Sequence, residues 1–113
     1  MPVKMTEQQI QKLQNRYEYL INYQSNDPLD PINPMTYVDS NGDSLLHIAS
    51  DAGDVECVSL LLNAGIDPNK LGDMGNTALH YAKAKENYAV AIKLIAAGAR
   101  EDIRNTFAKL ASD

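Results

Sequence analysis

The residues that could do chemistry are grouped around two histidines, each of which follows a hydroxyl residue by three positions. His47 follows Ser44, and His80 follows Thr77. With Asp51 added, Ser44 and His47 have the residue types of a hydrolase triad, in which a serine attacks and a histidine takes its proton. The sequence has neither the nucleophile elbow that exposes such a serine nor an oxyanion motif. We therefore keep a hydrolase only as a remote alternative and predict no catalytic residue.

Metal and cofactor binding find little support in the sequence. A structural zinc ion takes about four ligands, whereas the chain offers one cysteine, Cys57, and two histidines that are far apart. The glycines are single and are not clustered before a Lys-Ser or Lys-Thr pair, as they are in a phosphate-binding loop. We therefore predict no metal site and no cofactor.

Both histidines belong to a repeat of 33 residues. Residues 42–65, GDSLLHIASDAGDVECVSLLLNAG, align with residues 75–98, GNTALHYAKAKENYAVAIKLIAAG, and a third copy begins at Ala108. The alignment pairs the two histidines with each other and the two hydroxyl residues with each other. Because a recurring residue occupies the same place in each structural unit, these residues are predicted to build the scaffold.

Each full copy predicts two short helices. Ser44 and Thr77 are good N-caps for the first helices, because a hydroxyl oxygen accepts from the free N–H groups of the first turn. Asp54 and Asn87 can cap the second helices. A glycine ends each second helix, where a left-handed backbone costs glycine least. The predicted helices cover residues 45–52, 55–64, 78–85 and 88–97.

The N-terminal third of the chain does not repeat. Thr6 and Gln9 have the spacing of a capping box, and the apolar residues that follow fall on one helical face, which predicts an amphipathic helix over residues 7–24. Because a single helix cannot bury that face alone, we expect it to cap the first repeat. Three prolines recur at every third position within residues 27–38, which favours an extended polyproline path. This segment is either a stiff connector or a peptide ligand for another protein.

The two copies resemble ankyrin repeats, which share the period and a Thr-Pro-Leu-His core. Leu45 and Ala78 replace the proline of that core, and Glu86-Asn87 replaces the Gly-His turn in the second copy. The resemblance implies an all-α fold, a short ankyrin-repeat-like solenoid of helix-turn-helix units with finger loops. It also implies that the histidines tie each helix start to the adjoining loop and that Cys57 is a small core residue. The expected organisation is a capping helix in residues 1–26, a linker in 27–38, repeats in 39–71 and 72–104, and a partial repeat in 105–113.

Charge is divided unevenly along the chain. Residues 1–26 carry a net charge of +1, residues 27–73 of −8, and residues 74–113 of +2. The acidic block would repel nucleic acid and anionic membranes and attract a basic protein, unless its acids only solvate turns. No apolar run is long enough to span a bilayer, and the N-terminus has no signal-peptide pattern. Because the single cysteine cannot form an internal disulfide, these features predict a cytoplasmic protein.

Ankyrin proteins typically bind other proteins through their finger tips and the exposed side of the first helices, so the resemblance implies a partner-binding face. Acidic residues lie in one half of this face and basic residues in the other, and Leu71, Met74 and Phe107 could supply apolar anchors between them. Leu71 and Phe107 could equally fold back on the next repeat. The predicted contacts are Ser40, Asn41, Asp43, Asp51, Leu71, Asp73, Met74, Asn76, Lys85, Arg104 and Phe107, and the predicted scaffold residues are Ser44, His47, Gly65, Thr77, His80 and Gly98.

The function predicted from these features is protein binding without catalysis. The expected partner is another protein with a basic surface, rather than nucleic acid or a membrane, and the chain on its own is expected to be a monomer. We expect a small free-standing protein that masks or inhibits one target, in the manner of immunity proteins and antitoxins. The resemblance suggests that role, and the residues themselves do not show it. The alternative is an adaptor, an assembly factor or a subunit of a larger complex.

Overall fold

Two helix-turn-helix pairs form the centre of the fold. The structure is a computed structural model that describes residues 2–113. The described residues form α1 (Glu7–Arg16), α2 (Leu45–Ala52), α3 (Val55–Asn63), α4 (Ala78–Ala84) and α5 (Tyr88–Ala96), with a 3₁₀ turn at Asp73–Gly75. Helices α2 and α4 pack on each other, as do α3 and α5, which confirms the predicted all-α solenoid.

Small side chains let α2 and α4 approach closely. Ala49 of α2 and Ala78 and Ala82 of α4 are completely buried, among leucines from all four repeat helices. Burying one leucine side chain stabilises a fold by about 1.5–3 kcal/mol, so the two pairs supply most of the core. Cys57 is completely buried as well, and burial raises the pKa of its thiol to about 12. It is therefore a neutral core residue, as predicted. The buried leucines of the repeats are Leu45, Leu46, Leu61, Leu79 and Leu94.

Left-handed residues end the helices where the repeat predicts them. Gly65 and Gly98, which follow α3 and α5, have φ values of +96° and +100°. Between the helices of the first pair, Gly53 has a φ of +73°, and Glu86 takes the same region in the second pair with a φ of +58°. The altered sequence of the second copy therefore keeps the turn. It does so with backbone strain, because a Cβ atom is crowded in this conformation.

The second helices of the two pairs begin differently. Asp54 caps α3, since its carboxylate accepts from the Cys57 backbone N–H at 3.1 Å. The predicted cap of α5 is wrong. Asn87 instead donates its side-chain amide to the carbonyl oxygens of Ser50 at 2.9 Å and Asp51 at 3.1 Å. The last carbonyl groups of a helix have no partner within it. The Asn87 side chain therefore satisfies two such carbonyl groups at the end of α2 instead of an N–H group at the start of α5.

Three finger loops recur along the chain: finger 1 is residues 39–43, finger 2 is 72–76 and finger 3 is 105–109. In each finger the first N–H donates to the carbonyl oxygen of the last residue, with N–O distances of 2.9 Å for Asp39–Asp43, 2.7 Å for Gly72–Asn76 and 2.9 Å for Asn105–Lys109. The fourth residue has a positive φ in every finger, at Gly42, Gly75 and Ala108. The partial third copy therefore forms a complete finger.

His47 ties the start of α2 to the segment before finger 2. Its Nδ1 accepts from the Ser44 backbone N–H at 2.9 Å and lies 2.8 Å from the Ser44 hydroxyl, while its Nε2 donates to the Lys70 carbonyl oxygen at 2.8 Å. Burial lowers the pKa of His47 below its ordinary value of 6.5, against the opposing effects of the Lys70 carbonyl and the Asp43 carboxylate. The imidazole is therefore neutral, with its proton on Nε2.

His80 makes the equivalent contacts at the start of α4. Its Nδ1 accepts from the Thr77 backbone N–H at 3.1 Å and lies 2.9 Å from the Thr77 hydroxyl. Its Nε2 donates to the Lys109 carbonyl oxygen at 2.9 Å, so this histidine closes onto finger 3. Ser44, His47, Thr77 and His80 are all buried.

Helix α1 is shorter than the sequence predicts. It begins at the expected capping box, where the Gln9 N–H donates to the Thr6 hydroxyl at 3.1 Å, but it ends at Arg16 rather than at residue 24. The reason is a set of hydrogen bonds that a helix would break. Asn22 is buried, its backbone N–H donates to the Pro28 carbonyl oxygen at 3.1 Å, and its amide donates to the next turn of the same loop.

Residues 17–38 form an ordered loop that packs on the first repeat. The predicted extended polyproline path is wrong, because the segment turns at residues 28–29 and again at 34–36. Its inward side chains belong to the core, which favours the connector interpretation over a free peptide ligand. The buried residues of the proline-rich segment are Ile32, Pro34 and Tyr37.

Ion pairs hold α1 to the start of α3. The Arg16 guanidinium lies 2.9 Å from Asp54 and 2.6 Å from Glu56, and Lys12 Nζ lies 2.8 Å from Glu56. The Tyr17 hydroxyl donates to Asp54 at 2.8 Å. Burial alone would raise the pKa of Asp54, but hydrogen bonds from the α3 backbone, Tyr17 and Arg16 together lower it. Asp54 therefore stays ionised and joins the N-terminal helix to the first repeat.

Protonation of His47 should make stability depend on pH. Below its ordinary pKa of 6.5, the unfolded chain takes up a proton on this residue that the folded chain does not. The contribution of His47 to the free energy of unfolding is therefore complete above pH 6.5 and is lost as the pH falls towards the lowered pKa of the folded state. We expect His47→Gln to cost about 2 kcal/mol at neutral pH and this deficit to narrow in acid. Urea unfolding of both proteins over a pH series measures this difference in stability. A difference that does not change with pH would contradict a neutral His47 imidazole in the folded protein.

Relief of backbone strain at Glu86 is a second test of the fold. Glycine avoids the crowded Cβ atom but adds freedom to the unfolded chain, so Glu86→Gly should stabilise the protein by about 0.5 kcal/mol. The matched control is Ala84→Gly in α4, which should destabilise by about 1 kcal/mol. Urea unfolding of both variants measures the difference. If the two substitutions destabilise equally, the turn is not strained.

Candidate protein-binding face

The chemically capable side chains are occupied within the fold. Both ring nitrogens of His47 and of His80 are hydrogen bonded, and Cys57 is buried. Asp51 forms an ion pair with Lys85, whose Nζ lies 3.3 Å from Oδ1. Within the described residues, no group of three or more His, Cys, Asp or Glu side chains is placed to hold a metal ion. None of the described helices is long and apolar enough to cross a membrane.

Direct hydrogen bonds join the three fingers into one unit. The Asp73 N–H of finger 2 donates to Asp43 Oδ1 of finger 1 at 2.8 Å. Finger 3 donates a backbone N–H to the Met74 carbonyl oxygen at 2.9 Å, and the Asn105 amide donates to Asn76 Oδ1, also at 2.9 Å. One finger therefore cannot shift against its neighbour without breaking these bonds.

Asp43 is an internal group rather than a free acid. Besides the Asp73 N–H, its two carboxylate oxygens accept from the Tyr81 hydroxyl at 2.9 Å. The Tyr81 ring meets His47 edge-on, with 5.9 Å between centroids. Burial, and then the hydrogen bond to Asp43, raise the pKa of the Tyr81 phenol. Glycine is required at Gly72, because a Cβ atom there would collide with the Asp43 carboxylate. The sequence does carry a signal for the contact between Tyr81 and Asp43, because Tyr81 stands where the first copy has an isoleucine.

The predicted acidic and basic halves of the face are partly neutralised within the protein. Lys85 reaches across from the end of α4 to Asp51 in α2. Lys83 lies 3.2 Å from Glu101, and Arg104 donates to a carbonyl oxygen of finger 3 at 2.8 Å. On the folded surface, the acidic and basic halves of the face therefore differ less in charge than the sequence predicts.

Apolar side chains project into solvent from fingers 2 and 3 and from Leu71, the residue just before finger 2. Leu71, Met74 and Phe107 expose 53%, 52% and 63% of their surface. The alternative in which Leu71 and Phe107 fold back on the next repeat is therefore wrong. Met74 and Phe107 occupy the same position in fingers 2 and 3, and the fingers that carry them are hydrogen bonded to each other.

The remaining predicted contacts divide by exposure. Four of them are half-buried and the rest reach solvent, including Lys85 and Arg104, whose charged groups also have partners within the protein. The exposed ones are Ser40, Asn41, Leu71, Met74, Lys85, Arg104 and Phe107, and the half-buried ones are Asp43, Asp51, Asp73 and Asn76.

One exposed group was missed by the sequence interpretation. Tyr19, Ile21 and Tyr23 were assigned to the amphipathic helix, but they lie in the loop after it and reach solvent. This segment has no counterpart in the repeats, so periodicity gave no signal for its course. The signal that was available is the density of tyrosines, which are favoured at binding surfaces.

Comparison with known proteins identifies the repeats. A family model described as ankyrin repeats in three copies matches residues 11–105. Protein phosphatase 1 regulatory subunit 27 of Mus musculus is 36% identical over 85 residues, which are 75% of this chain and 51% of that protein.

Two further relatives are much longer proteins. An ankyrin and IPT/TIG repeat-containing protein of Schizosaccharomyces pombe is 33% identical over 72 residues, 64% of this chain and 6% of that protein. An ADP-ribosylation factor GTPase-activating protein of Arabidopsis thaliana is 42% identical over 64 residues, 57% of this chain and 8% of that protein. The chain thus matches about half of the mouse relative and a small part of the other two. The helix pairs, the three fingers and the family match together show that the chain belongs to the ankyrin repeat family.

Proposed function

We propose that this chain is a non-enzymatic module that binds one protein partner through its fingers and masks the surface it covers. Ankyrin repeats indicate protein–protein interaction in general, and the exposed pair of Met74 and Phe107 supports this more specific role. Both side chains stand at finger tips with half or more of their surface in water. Burying them in a partner would remove apolar surface from water at about 25 cal/mol per Å².

The finger unit favours binding because it needs little ordering. Hydrogen bonds join each finger to the next, and the histidines hold the segments around fingers 2 and 3 to the helix starts. A preorganised surface loses less conformational entropy on association than a mobile one. The apolar tips are thus presented at fixed spacing, which is what recognition of a single defined partner requires.

The charge of the chain supports a basic partner. Its net charge is −5 and its sequence pI is about 4.8. Such a charge speeds encounter with a positively charged protein surface and opposes nucleic acid and anionic membranes. We propose that the chain acts in the cytoplasm as a monomer and inhibits its target by occupying that target's surface, as an immunity protein or antitoxin does.

A subunit or adaptor is the second candidate function. The mouse relative is by its name a regulatory subunit of a phosphatase, which supports a role inside a larger complex. An assembly factor would use the same finger surface. The two candidates differ in what accompanies the chain: an inhibitor forms a binary complex that silences its target, whereas an adaptor or subunit is found with several proteins at once.

Removal of the apolar tips tests the finger surface. The chain and its Met74→Ala/Phe107→Ala variant are used to capture partners from the native source, and captured proteins are quantified. We expect the double substitution to weaken capture of the specific partner by at least about tenfold, as loss of central apolar contacts does. Because both side chains are exposed, stability should change by less than about 0.5 kcal/mol.

The control is Tyr88→Ala/Ile92→Ala, which removes two equally exposed apolar side chains from α5. It should leave capture of the partner unchanged. If the α5 variant weakens capture and the finger variant does not, the binding face has been placed on the wrong side of the molecule. The mass of the captured complex then separates a binary inhibitor from a subunit of a larger assembly.

A further inference from the structure

Alternating exposure marks a second surface in the loop after α1. Tyr19, Ile21 and Tyr23 expose 69%, 50% and 50% of their surface. Between them, Leu20 is half-buried and packs on the core, and Asn22 is buried. The chain turns at Tyr19 and again at Tyr23, and these turns place the three side chains outward. We call the three outward side chains, Tyr19, Ile21 and Tyr23, the tyrosine edge.

The tyrosine edge is held in place from behind. The Ile21 carbonyl oxygen accepts from the buried Tyr37 hydroxyl at 3.0 Å. The side-chain amide of Gln24 donates to the Val38 carbonyl oxygen at 2.9 Å and accepts from the Val38 N–H at 3.4 Å. Val38 is the residue just before finger 1, so these hydrogen bonds connect the loop that carries the edge to the start of finger 1. Aromatic side chains on a fixed backbone bind at low entropic cost.

Acidic residues lie in the same loop as this edge and in finger 1. Between Arg16 and Lys70 the chain has no lysine or arginine and nine acids. The cations of α1 neutralise Asp54 and Glu56, and Lys85 pairs with Asp51. Within the described residues, no lysine or arginine forms an ion pair with the acids of the loop and of finger 1, which are Glu18, Asp27, Asp30, Asp39 and Asp43. Of these, Asp43 already accepts from the Tyr81 hydroxyl.

One of these acids lies beside the tyrosines. Burial has the largest effect on the pKa of the Tyr37 phenol and raises it. The electrostatic effect of Asp39 raises this pKa further, and those of the Tyr23 and Tyr19 side chains add to it. Asp39 directly follows Val38, whose backbone is hydrogen bonded to the side chain of Gln24, the residue after Tyr23, so this carboxylate lies close to the edge.

Asp39 Oδ1 accepts from the Asn41 and Asp43 N–H groups, both at 2.9 Å, and within the described part of the chain the carboxylate has no ion pair. Aromatic faces next to a carboxylate without a cation partner are what a guanidinium group recognises, since it stacks on the ring and donates to the oxygens at once.

We propose that the tyrosine edge is a docking surface for an arginine-containing segment of a protein partner. Tyr19 and Tyr23 stack on guanidinium groups, Ile21 contacts an apolar residue between them, and the nearby carboxylates accept their N–H groups. Arginine fits better than lysine because its planar head can stack and pair together. The inference deepens the proposed function, on which it rests for the existence of a protein partner, and it adds a contact outside the repeats.

The test uses the full chain and three synthetic peptides. The probe peptide alternates arginine and leucine with glycine spacers, and the controls carry lysine or glutamine in place of arginine. Chemical shifts of the ¹⁵N-labelled chain are followed during titration. We expect shift changes at residues 18–31 and 37–39, tighter binding of the arginine peptide than of the lysine peptide, and no binding of the glutamine peptide.

Variants then assign the binding to the rings. Tyr19→Ala/Tyr23→Ala should weaken the arginine peptide by about tenfold, the loss expected for two stacked cations. Tyr19→Phe/Tyr23→Phe keeps the rings and should bind within about twofold of wild type, because a phenyl face also attracts cations. Tyr88→Ala removes an exposed tyrosine of α5 and should have no effect. Helical circular dichroism of each variant checks that the exposed substitutions leave the fold intact.

Four outcomes would overturn the proposal. They are shift changes confined to the fingers or α5, equal binding of the lysine or glutamine peptide, unchanged affinity in the alanine variant, and the absence of any shift change. Concentration-dependent shifts at the edge without peptide would assign it to a second copy of this chain instead. The Met74→Ala/Phe107→Ala variant should bind the arginine peptide as wild type does. The peptide titration therefore tests the tyrosine edge independently of the proposed binding surface on the fingers.

Discussion

The two buried imidazoles are the constraint on which the rest of the structure depends. Each accepts from the backbone N–H at the start of a helix and donates to a carbonyl oxygen further along the chain, which is 23 residues away for His47 and 29 for His80. One side chain thus fixes both a helix start and a loop. His47 donates to a carbonyl oxygen in the segment before finger 2, whereas His80 donates to a carbonyl oxygen of finger 3 itself. Finger 3 is therefore held directly by the histidine of α4.

The parts of the fold that repeat could be predicted closely from the sequence. The four repeat helices begin at the predicted residues, and their ends differ by at most one residue from the prediction, because capping residues and glycines recur at the same positions. The loop after α1 could not be predicted in this way. Its course is set by Asn22 and Tyr37, whose partners lie elsewhere in the same non-repeating loop. An apolar stripe alone does not say where tertiary hydrogen bonds will end a helix.

The binding face was predictable in outline but not in its details. The sequence located the fingers and their apolar tips, which follow from the repeat. It could not distinguish free polar groups from occupied ones, because the partner of Asp43 is a tyrosine 38 residues away. Asn87 shows the same limit, since its amide serves the neighbouring unit rather than its own helix. Local propensity identifies which residues can form hydrogen bonds, and packing decides with which partners they do so.

The stretch without lysine or arginine has a practical consequence for mapping any complex. Trypsin cannot cut between Arg16 and Lys70, so residues 17–70 are released as one long peptide that carries the loop, finger 1 and the first helix pair. Amine-reactive crosslinkers have no attachment point in this peptide except Lys70 at its end. Such reagents would report contacts only from α1 and from the C-terminal half, and would displace the apparent interface away from the tyrosines. Carboxylate-directed crosslinkers, and cleavage at acidic residues, would sample the region that lysine chemistry leaves unseen.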